Sequence, residues 1–146
     1  MKLIVQRVQK AKVISVESGK TFGEIGEGLF VLVGFKKGDT EKDLEYLVEK
    51  LVKLRVMKDG EKKMNLSVKD TEGSILVVSQ FTLYADTKDG NRPSFINAEE
   101  PEKAKELYEL FIKKLKEKNV KVETGSFGEY MQIEAVMDGP VSIIFE

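Results

Sequence analysis

A nearly continuous apolar run, Gly28-Leu29-Phe30-Val31-Leu32-Val33-Gly34, constrains the fold of this 146-residue chain more than any other feature. The run is far shorter than the ~20 apolar residues that a membrane helix needs. Apolar residues at successive positions, rather than at alternate ones, are typical of a strand that is buried on both faces. The sequence therefore predicts a sheet with residues 28–34 at its centre.

Strand-like segments lie on both sides of this run. Residues 3–16 partly alternate apolar and polar side chains, and a turn at residues 17–20 leads to a short strand at residues 21–25. These segments predict that the chain begins with a β-hairpin. Further strands are predicted at residues 74–84, 120–123 and 131–145, the last of them interrupted by Asp138-Gly139-Pro140.

Two amphipathic helices are predicted from apolar residues at helical spacing. The first follows an N-cap at Asp39 or Thr40 and continues to about Met57, and the second begins near Pro101. Because each helix follows a strand, we predict crossovers packed on a mixed sheet. No repeat or linker divides the sequence, so residues 1–146 are predicted to form one compact α/β domain.

The available chemistry is restricted because the chain contains neither cysteine nor histidine. This composition excludes disulfides, thiolate nucleophiles, zinc–thiolate sites and every Ser-His or Cys-His triad. An enzyme of this kind must act through carboxylates, lysines, hydroxyls, backbone dipoles or groups of its own substrate. Magnesium sites built from carboxylates remain open, and Asp86 and Asp89, in one polar loop, are loosely spaced candidates.

Charge and hydropathy are those of an ordinary globular protein. The chain has 24 basic and 25 acidic residues and a net charge of −1, so contact with RNA would need a local basic patch. Hydrophobic residues make up 41% and charged residues 34%, which is typical of a soluble domain. No apolar stretch is long enough to span a membrane and no signal peptide is visible, so we expect no membrane partner and a cytoplasmic location.

Candidate site residues are polar or conformationally special residues within or after apolar strands. Ser79-Gln80-Phe81-Thr82 follows the apolar run 75–78 and would face a cleft, or would represent plain strand alternation with structural hydrogen bonds. Gly139-Pro140 is either a simple turn or an element with a cis bond. Arg7 stands among largely apolar strand residues, so we expect it to be partly buried and to need a partner.

Two basic groups are candidates for contact with RNA phosphates. One is Arg92 in the loop at residues 91–94, and the other is a lysine cluster at the end of the second helix. That cluster consists of Lys113, Lys114, Lys116 and Lys118. The alternative for both groups is that they are solvated surface charges without a ligand.

A set of segments, in an order and spacing that run the full length of the chain, forms a recognisable pattern. The segments are Val5-Gln6-Arg7-Val8, Gly23-Glu24-Ile25-Gly26, Gly28-Leu29, Met64-Asn65-Leu66-Ser67-Val68, residues 76–86, Gly90-Asn91-Arg92-Pro93-Ser94-Phe95, Thr124-Gly125-Ser126-Phe127-Gly128 and Asp138-Gly139-Pro140-Val141. This set resembles the D-aminoacyl-tRNA deacylase family, also called D-tyrosyl-tRNA deacylase.

The resemblance implies a homodimer with a three-layer α/β/β fold, mixed sheets and two main helices, acting without a metal or an organic cofactor. It implies hydrolysis of the ester that joins a D-amino acid to the 3′-terminal adenosine of tRNA. Glycine mischarged on the alanine tRNA would be removed as well, and L-aminoacyl-tRNA would be rejected. The chain is thus expected to act in chiral proofreading of translation.

The resemblance also implies a catalytic signature, Ser79, Gln80, Phe81 and Thr82. Backbone N–H groups around Phe81 and Thr82 would stabilise the oxyanion that forms when the ester carbonyl is attacked. Thr82 is a conceivable nucleophile, but a histidine-free chain offers no obvious base to activate it. Attack by water, assisted by the ribose hydroxyl of the adenosine, is therefore the preferred mechanism.

Selectivity is implied for Gly139 and Pro140, joined by a cis bond, which would enter the site of the partner subunit. Rigid carbonyls there would leave no room for an L side chain. Arg7 would hold this segment through hydrogen bonds to backbone carbonyls. Phe127 and Met131 would line the adenosine pocket.

The chain departs from the common family pattern at a few positions. Met137 stands where Asn is common, Ser142 where Thr is common, and Glu129-Tyr130 where Ala and a short polar residue are common. Ser142 keeps the hydroxyl, whereas Met137 and Glu129 bear on substrate preference. Two alternatives stay open: a related deacylase with a trans Gly-Pro bond that removes L-amino acids, and a non-catalytic module that binds a tRNA end or a protein.

Overall fold

The computed structural model describes residues 1–146, which form eight strands, two α-helices and one short 3₁₀ turn. The strands are β1 (Lys2–Ser15), β2 (Thr21–Ile25), β3 (Gly28–Gly34), β4 (Met57–Lys58), β5 (Met64–Leu66), β6 (Ser74–Ser79), β7 (Lys121–Thr124) and β8 (Met131–Phe145). The helices are α1 (Glu41–Lys53) and α2 (Pro101–Lys116), and the 3₁₀ turn covers Phe81–Tyr84. Neither helix combines the length and the apolar character needed to cross a membrane.

The apolar run 28–34 is the central strand β3, as predicted. The main sheet has the order β2-β1-β3-β6-β7, and β8 pairs with β1. β3, β6 and β7 are parallel to one another, whereas β1 is antiparallel to β2, β3 and β8. The helices supply the crossovers, α1 between β3 and β6 and α2 between β6 and β7. The predicted β-hairpin, mixed sheet and single α/β domain are confirmed.

β1 organises the sheet because it is paired along both of its edges. On one edge it pairs first with β3 and then with β2, and on the other edge it pairs with β8 from Leu3 to Ser15. The sheet curves until β2 lies against β7. At this contact Gly23 is required, because a Cβ there would lie 2.5 Å from the carbonyl oxygen of Thr124. The result is a nearly closed sheet.

Apolar clusters lie on both faces of the sheet. The larger cluster joins α1 and α2 to β1, β3 and β6, and the smaller one, around Val8, Phe30 and Leu76, fills the inside of the curve. Side chains alternate between the faces of a strand, so Arg7 shares the helix-covered face with Leu3 and Val5. A change of register after Val8 then moves the buried positions of β1 to the other face.

Both helices begin where the sequence predicts. Thr40 forms a capping box with Asp43, in which the Asp43 carboxylate accepts from the Thr40 amide at 2.9 Å. Pro101 occupies the first turn of α2, where its missing N–H removes no helical hydrogen bond. The predicted end of α1 near Met57 is wrong. The helix ends at Lys53 because Leu54 is extended (ψ 120°), and Met57 instead pairs with Leu66 in the unpredicted β4–β5 hairpin.

Two strand predictions are also corrected. The strand predicted at residues 74–84 ends at Ser79, because β3 offers only the Val33 carbonyl, at 2.8 Å from the Gln80 amide, before its own end at Gly34. The chain then turns into the 3₁₀ segment. The last strand, predicted to be broken, is extended from Met131 to Phe145, and Asp138-Gly139-Pro140 forms a bulge within it.

Candidate active site

The carboxyl ends of β3, β6 and β7 lie at one edge of the sheet, because these strands are parallel. Ser79 is the last residue of β6, and Gln80-Phe81-Thr82 follows directly beyond the edge. In both open and closed α/β folds, ligands usually bind at the carboxyl ends of the parallel strands. The structure therefore places the predicted catalytic signature where a bound substrate would be expected.

The 3₁₀ turn after β6 presents backbone donors to solvent. Phe81 and Thr82 begin this turn, so their amides precede its first internal bond, in which the Leu83 amide donates to the Gln80 carbonyl at 3.3 Å. The Gln80 side-chain amide donates to Thr82 Oγ1 at 2.5 Å. Unpaired amides at the start of a helical turn carry partial positive charge and favour an anionic oxygen.

The position of this turn is determined by packing against β3. A Cβ at Gly34 would lie 2.9 Å from the Gln80 carbonyl oxygen and 3.1 Å from the Leu83 Cβ, so only glycine allows the turn to approach β3. On the outer side the Phe81 ring is exposed and meets Phe95 edge-on, with 5.0 Å between the ring centroids. The turn thus has a half-buried inner side, with Leu83 and Tyr84, and an open outer side with Phe81.

Phe127 and Met131 lie beside the same edge. The amide of Gly125 donates to the Val77 carbonyl at 3.2 Å, so the chain after β7 leaves the sheet next to the end of β6. Phe127 packs on the buried ring of Tyr108 at 5.8 Å between centroids, and Met131 Sδ accepts from the Ser126 amide at 3.3 Å. Tyr108 donates to the Val77 carbonyl at 2.9 Å, and burial raises the pKa of its hydroxyl.

Gly139 and Pro140 occupy a bulge of β8. Ser142 pairs with Gln6 and Met137 with Val8, so residues 138–141 lie opposite the single residue Arg7. The Gly139-Pro140 peptide is cis, and both residues are exposed. Gly139 has a φ of 131°, and a Cβ there would lie 2.9 Å from the Val141 amide nitrogen and 3.3 Å from Arg7 Nη2. Position 139 therefore requires glycine.

Arg7 is buried beneath this bulge, as the sequence predicts. Its Nη1 donates to the Val56 carbonyl at 2.6 Å, and its Nε donates to the Asp138 carbonyl at 3.1 Å. Arg7 Nε also lies 3.2 Å from Asp138 Oδ2. The buried guanidinium thus joins β1, the segment before β4 and the start of the bulge.

A second cation, Lys58, completes the contacts of Asp138. Its Nζ lies 2.8 Å from Asp138 Oδ1. The hydrogen bond from Lys58 and the nearby Arg7 charge hold the pKa of the Asp138 carboxyl below its usual range. Sequence reasoning missed Lys58, because Lys58-Asp59-Gly60 showed only a helix break.

The two predicted motifs do not meet within one chain. Ser79 pairs with Val33 and Val33 with Leu3, whereas the bulge lies opposite Arg7. Four residues along β1 correspond to about 13 Å, and the three strand steps from β6 to β8 add a lateral separation of about 14 Å. Within one chain, residues 79–82 and the Gly139-Pro140 bulge are therefore too far apart to contact the same bound amino acid.

Three of the remaining candidates, Asp86, Lys114 and Lys118, have structural partners. Asp86 closes its loop by backbone bonds with Ser94 and accepts from the Lys88 amide at 3.0 Å. In the lysine cluster, Lys114 pairs with Glu45 at 2.7 Å and Lys118 pairs with Glu49, so both tie α2 to α1. No three acidic side chains converge as metal ligands. A cavity of about 620 Å³ opens at Tyr84 beside the amino end of β1 and is not lined by residues 79–82.

The fold and the site together define a class of protein. It is an α/β domain without histidine, and backbone amides, hydroxyls and a glutamine side chain lie at the carboxyl ends of its parallel strands. Comparison with known proteins makes the class specific. The chain belongs to the D-aminoacyl-tRNA deacylase family, since the family described as D-Tyr-tRNA(Tyr) deacylase matches residues 4–146. This confirms the resemblance seen in the sequence and assigns the chain to a family of hydrolases that act on aminoacyl-tRNA esters.

Relatives match along their whole length. D-Aminoacyl-tRNA deacylase of Thermosipho melanesiensis is 52% identical over 147 residues, covering 100% of this chain and 97% of the relative. The deacylase of Thermotoga petrophila is 53% identical over 146 residues, with the same coverage of 100% and 97%. Neither alignment leaves a substantial part of the relative unmatched.

Solved structures share the fold. The c-Myc DNA unwinding element binding protein superimposes with a TM-score of 0.92 at 41% identity, covering 100% of this chain and 98% of that chain. A probable eukaryotic D-amino acid tRNA deacylase gives a TM-score of 0.83 at 19% identity, covering 99% and 97%. The second likeness concerns the fold alone.

Proposed function

We propose that the chain hydrolyses the ester of D-aminoacyl-tRNA and rejects L-aminoacyl-tRNA, acting in the cytoplasm as a chiral proofreading enzyme. Glycine mischarged on the alanine tRNA is a second substrate, because glycine has no side chain to exclude. Relatives that are 52% and 53% identical carry the name D-aminoacyl-tRNA deacylase. The observation that carries the mechanism is the pair of amides at Phe81 and Thr82 that begin the 3₁₀ turn.

These amides are the proposed oxyanion donors. When the ester carbonyl is attacked, its oxygen becomes negative, and preorganised N–H groups lower the energy of that state more than water does. The strand β6 and the close contact at Gly34 hold both amides in place before substrate binds. Preorganisation of this kind requires no rearrangement during the reaction.

Water is the proposed nucleophile, with the ribose hydroxyl of the terminal adenosine assisting. Thr82 Oγ1 accepts a hydrogen bond from the Gln80 amide, and an amide cannot act as a base. No histidine is present to activate a hydroxyl. Ser79, Gln80 and Thr82 therefore position substrate and water, and Phe127 and Met131 line the place of the adenosine.

Two copies of the chain are proposed to share each site. The separation of the two motifs within one chain supports this arrangement, because the Gly139-Pro140 bulge then reaches residues 79–82 of the partner. The long strand β8 has one edge without a partner, and Ile144 on it is 62% exposed. Unpaired, partly apolar strand edges favour association. We expect light scattering to show a dimer. Dilution should convert the dimer to monomers, and the monomers should be inactive.

Selectivity is proposed to arise by exclusion. The carbonyls of the bulge would surround the α-carbon of the bound amino acid on the side where an L residue carries its side chain. A D residue directs its side chain away from them. The rigid support beneath, Arg7 against Gly139, keeps the bulge from yielding to the wrong enantiomer.

The first test is hydrolysis of D-tyrosyl-tRNA and L-tyrosyl-tRNA by the purified chain, with and without a chelator. Rapid loss of the D ester alone, unchanged by chelator, is the expected result. Hydrolysis of the L ester alone would favour the related L-specific deacylase. Loss of neither ester would favour a tRNA-end or protein-binding module and would overturn the proposal.

A glycine variant tests the exclusion mechanism. In Gly139→Ala the new methyl meets the Val141 amide at 2.9 Å and the backbone is at φ 131°, so the bulge must move. We expect discrimination between D-tyrosyl-tRNA and L-tyrosyl-tRNA to fall by at least about tenfold, the equivalent of ~1.4 kcal/mol. Gly60→Ala is the matched control, because nothing lies within 4 Å of its Cβ position. Equal discrimination in both variants would contradict the mechanism.

A further inference from the structure

Arg7, residues 56–58 and Asp138 form a closed ring of contacts. Val56 gives its carbonyl to Arg7 Nη1 at 2.6 Å, and Arg7 Nε reaches the Asp138 carbonyl at 3.1 Å. Asp138 Oδ1 returns to the same segment through Lys58 Nζ at 2.8 Å. The segment before and within β4 therefore contacts the bulge both through Arg7 and directly.

The two cations approach different oxygens of one carboxylate. Arg7 Nε lies 3.2 Å from Oδ2, and Lys58 Nζ lies 2.8 Å from Oδ1. The Asp138 side chain is 20% exposed and that of Arg7 is 5% exposed, so the pairing is partly shielded from water. Arg7 contacts one carboxylate oxygen of Asp138, and Lys58 contacts the other. Two contacts from opposite sides restrict this side chain more than one does, and Asp138 directly precedes Gly139.

We propose that Lys58 is a positioning residue for the Gly139-Pro140 element and thereby contributes to the discrimination between D- and L-aminoacyl-tRNA. This inference rests on the proposed function. In this role Lys58 holds the Asp138 carboxylate in place together with Arg7, and it does not contact the substrate. Its contribution is independent of the amides at residues 81 and 82, which belong to the other motif.

Three variants separate this role from general loss of charge. Lys58→Met keeps a side chain of similar length and removes the ammonium, and Lys58→Arg restores a cation. Lys63→Met removes an exposed lysine of the same β4–β5 hairpin that pairs with Glu61 at 3.3 Å and not with Asp138. Hydrolysis of D- and L-tyrosyl-tRNA is measured for each variant, together with the melting temperature.

We expect Lys58→Met to lower the ratio of kcat/KM for the D ester to that for the L ester by about threefold to fivefold, the size expected for a partly exposed ion pair. Lys58→Arg recovers the ratio and Lys63→Met leaves it unchanged. In the Asp138→Asn background, Lys58→Met has no further effect, because coupled residues are not additive. An unchanged ratio in Lys58→Met, or full additivity with Asp138→Asn, would overturn the proposal.

A second readout does not need activity. The carboxyl carbon of Asp138, followed by NMR against pH, should titrate at a higher pH in Lys58→Met than in the wild type and in Lys63→Met. The charged groups facing this carboxylate are Arg7 on β1 and Lys58 on β4. An unchanged titration would show that the contact is absent in solution and would overturn the role of Lys58. A wild-type chain without deacylase activity, but with the expected titration shift, would instead identify the proposed function as the failing part.

Discussion

The turn at residues 81–84 and the bulge at residues 138–141 are held in place by different forces. The turn follows β6, a strand buried between two apolar clusters, and its inner side packs on Gly34. The bulge lies on β8, which pairs with one neighbour only, and its support is the polar network of Arg7, Lys58 and Asp138. One motif is positioned by burial and the other by hydrogen bonds and charge.

Because their supports differ, the two motifs are sensitive to different substitutions. Apolar packing is spread over many small contacts, so a single polar change near the turn removes little of its support. A buried polar network is concentrated in a few atoms, and the loss of one leaves the others unpaired at a high cost. Substitutions of comparable size are therefore expected to have unequal effects in the two regions.

The largest effect is expected for Arg7→Met. The substitution leaves the Val56 carbonyl and the Asp138 carbonyl without their donor, and it leaves the shielded Asp138 carboxylate with Lys58 as its only cation. We expect the free energy of unfolding in urea to fall by about 3 kcal/mol. Arg55→Met is the control, since Arg55 is an exposed arginine that donates to the Asn65 carbonyl at 2.8 Å. Similar losses in both variants would show that the network beneath the bulge has no special weight.

An intermediate effect is expected for Tyr108→Phe at the opposite motif. The variant removes the hydrogen bond of 2.9 Å to the Val77 carbonyl but keeps the ring that supports Phe127. The Gly125 amide still donates to this carbonyl at 3.2 Å, so the acceptor is not left unpaired. A loss of about 1 kcal/mol in urea unfolding is expected, because one neutral hydrogen bond contributes about that much. A loss as large as that of Arg7→Met would remove the contrast between the two regions.

The smallest effect is expected for charges on the helix surface, and it depends on pH. Lys118 and Lys53 lower the pKa of Glu49 from 4.5 to about 2. A carboxyl whose pKa is lowered by folding stabilises the folded chain above its ordinary pKa, and the benefit disappears as pH falls through the lowered value. The melting temperature of Glu49→Gln should thus lie slightly below that of the wild type from pH 5 to 7, with the difference vanishing near pH 2. A difference that grows as the solution is acidified would contradict this sign.

The fold was predictable from the sequence where the residues of one segment are enough to specify its structure. The apolar run 28–34, the N-cap at Thr40 and Pro101 each specify local structure through packing or hydrogen bonding that their own residues provide. The end of β6 was not predictable in this way. Residues 80–84 continue the strand-like pattern, but a strand stops where its neighbour stops, and the neighbour β3 is remote in sequence.

The same reasoning applies to the site. Arg7 could be recognised as needing a partner, because a buried cation among apolar residues is costly. Its partners could not be identified, since Val56 and Asp138 come from distant segments. The sequence gives no indication of a role for Lys58, because Lys58-Asp59-Gly60 looks like an ordinary polar turn. The roles implied for residues 79–82, 127 and 131 stay predictions, although the structure gathers these residues at one edge.

The pairing of β1 with β8 has a consequence for how the polypeptide is made. β1 is synthesised before β8, which completes one of its sides, with Leu3 opposite Phe145 and Ser15 opposite Met131. Contacts between residues so far apart in sequence close late and slow the folding reaction. While the intervening residues are being synthesised, one flank of β1 stays open to association with other nascent chains. We therefore expect folding during translation to depend on chaperones, because β1 lies within the sheet and one of its sides stays unpaired until β8 is made.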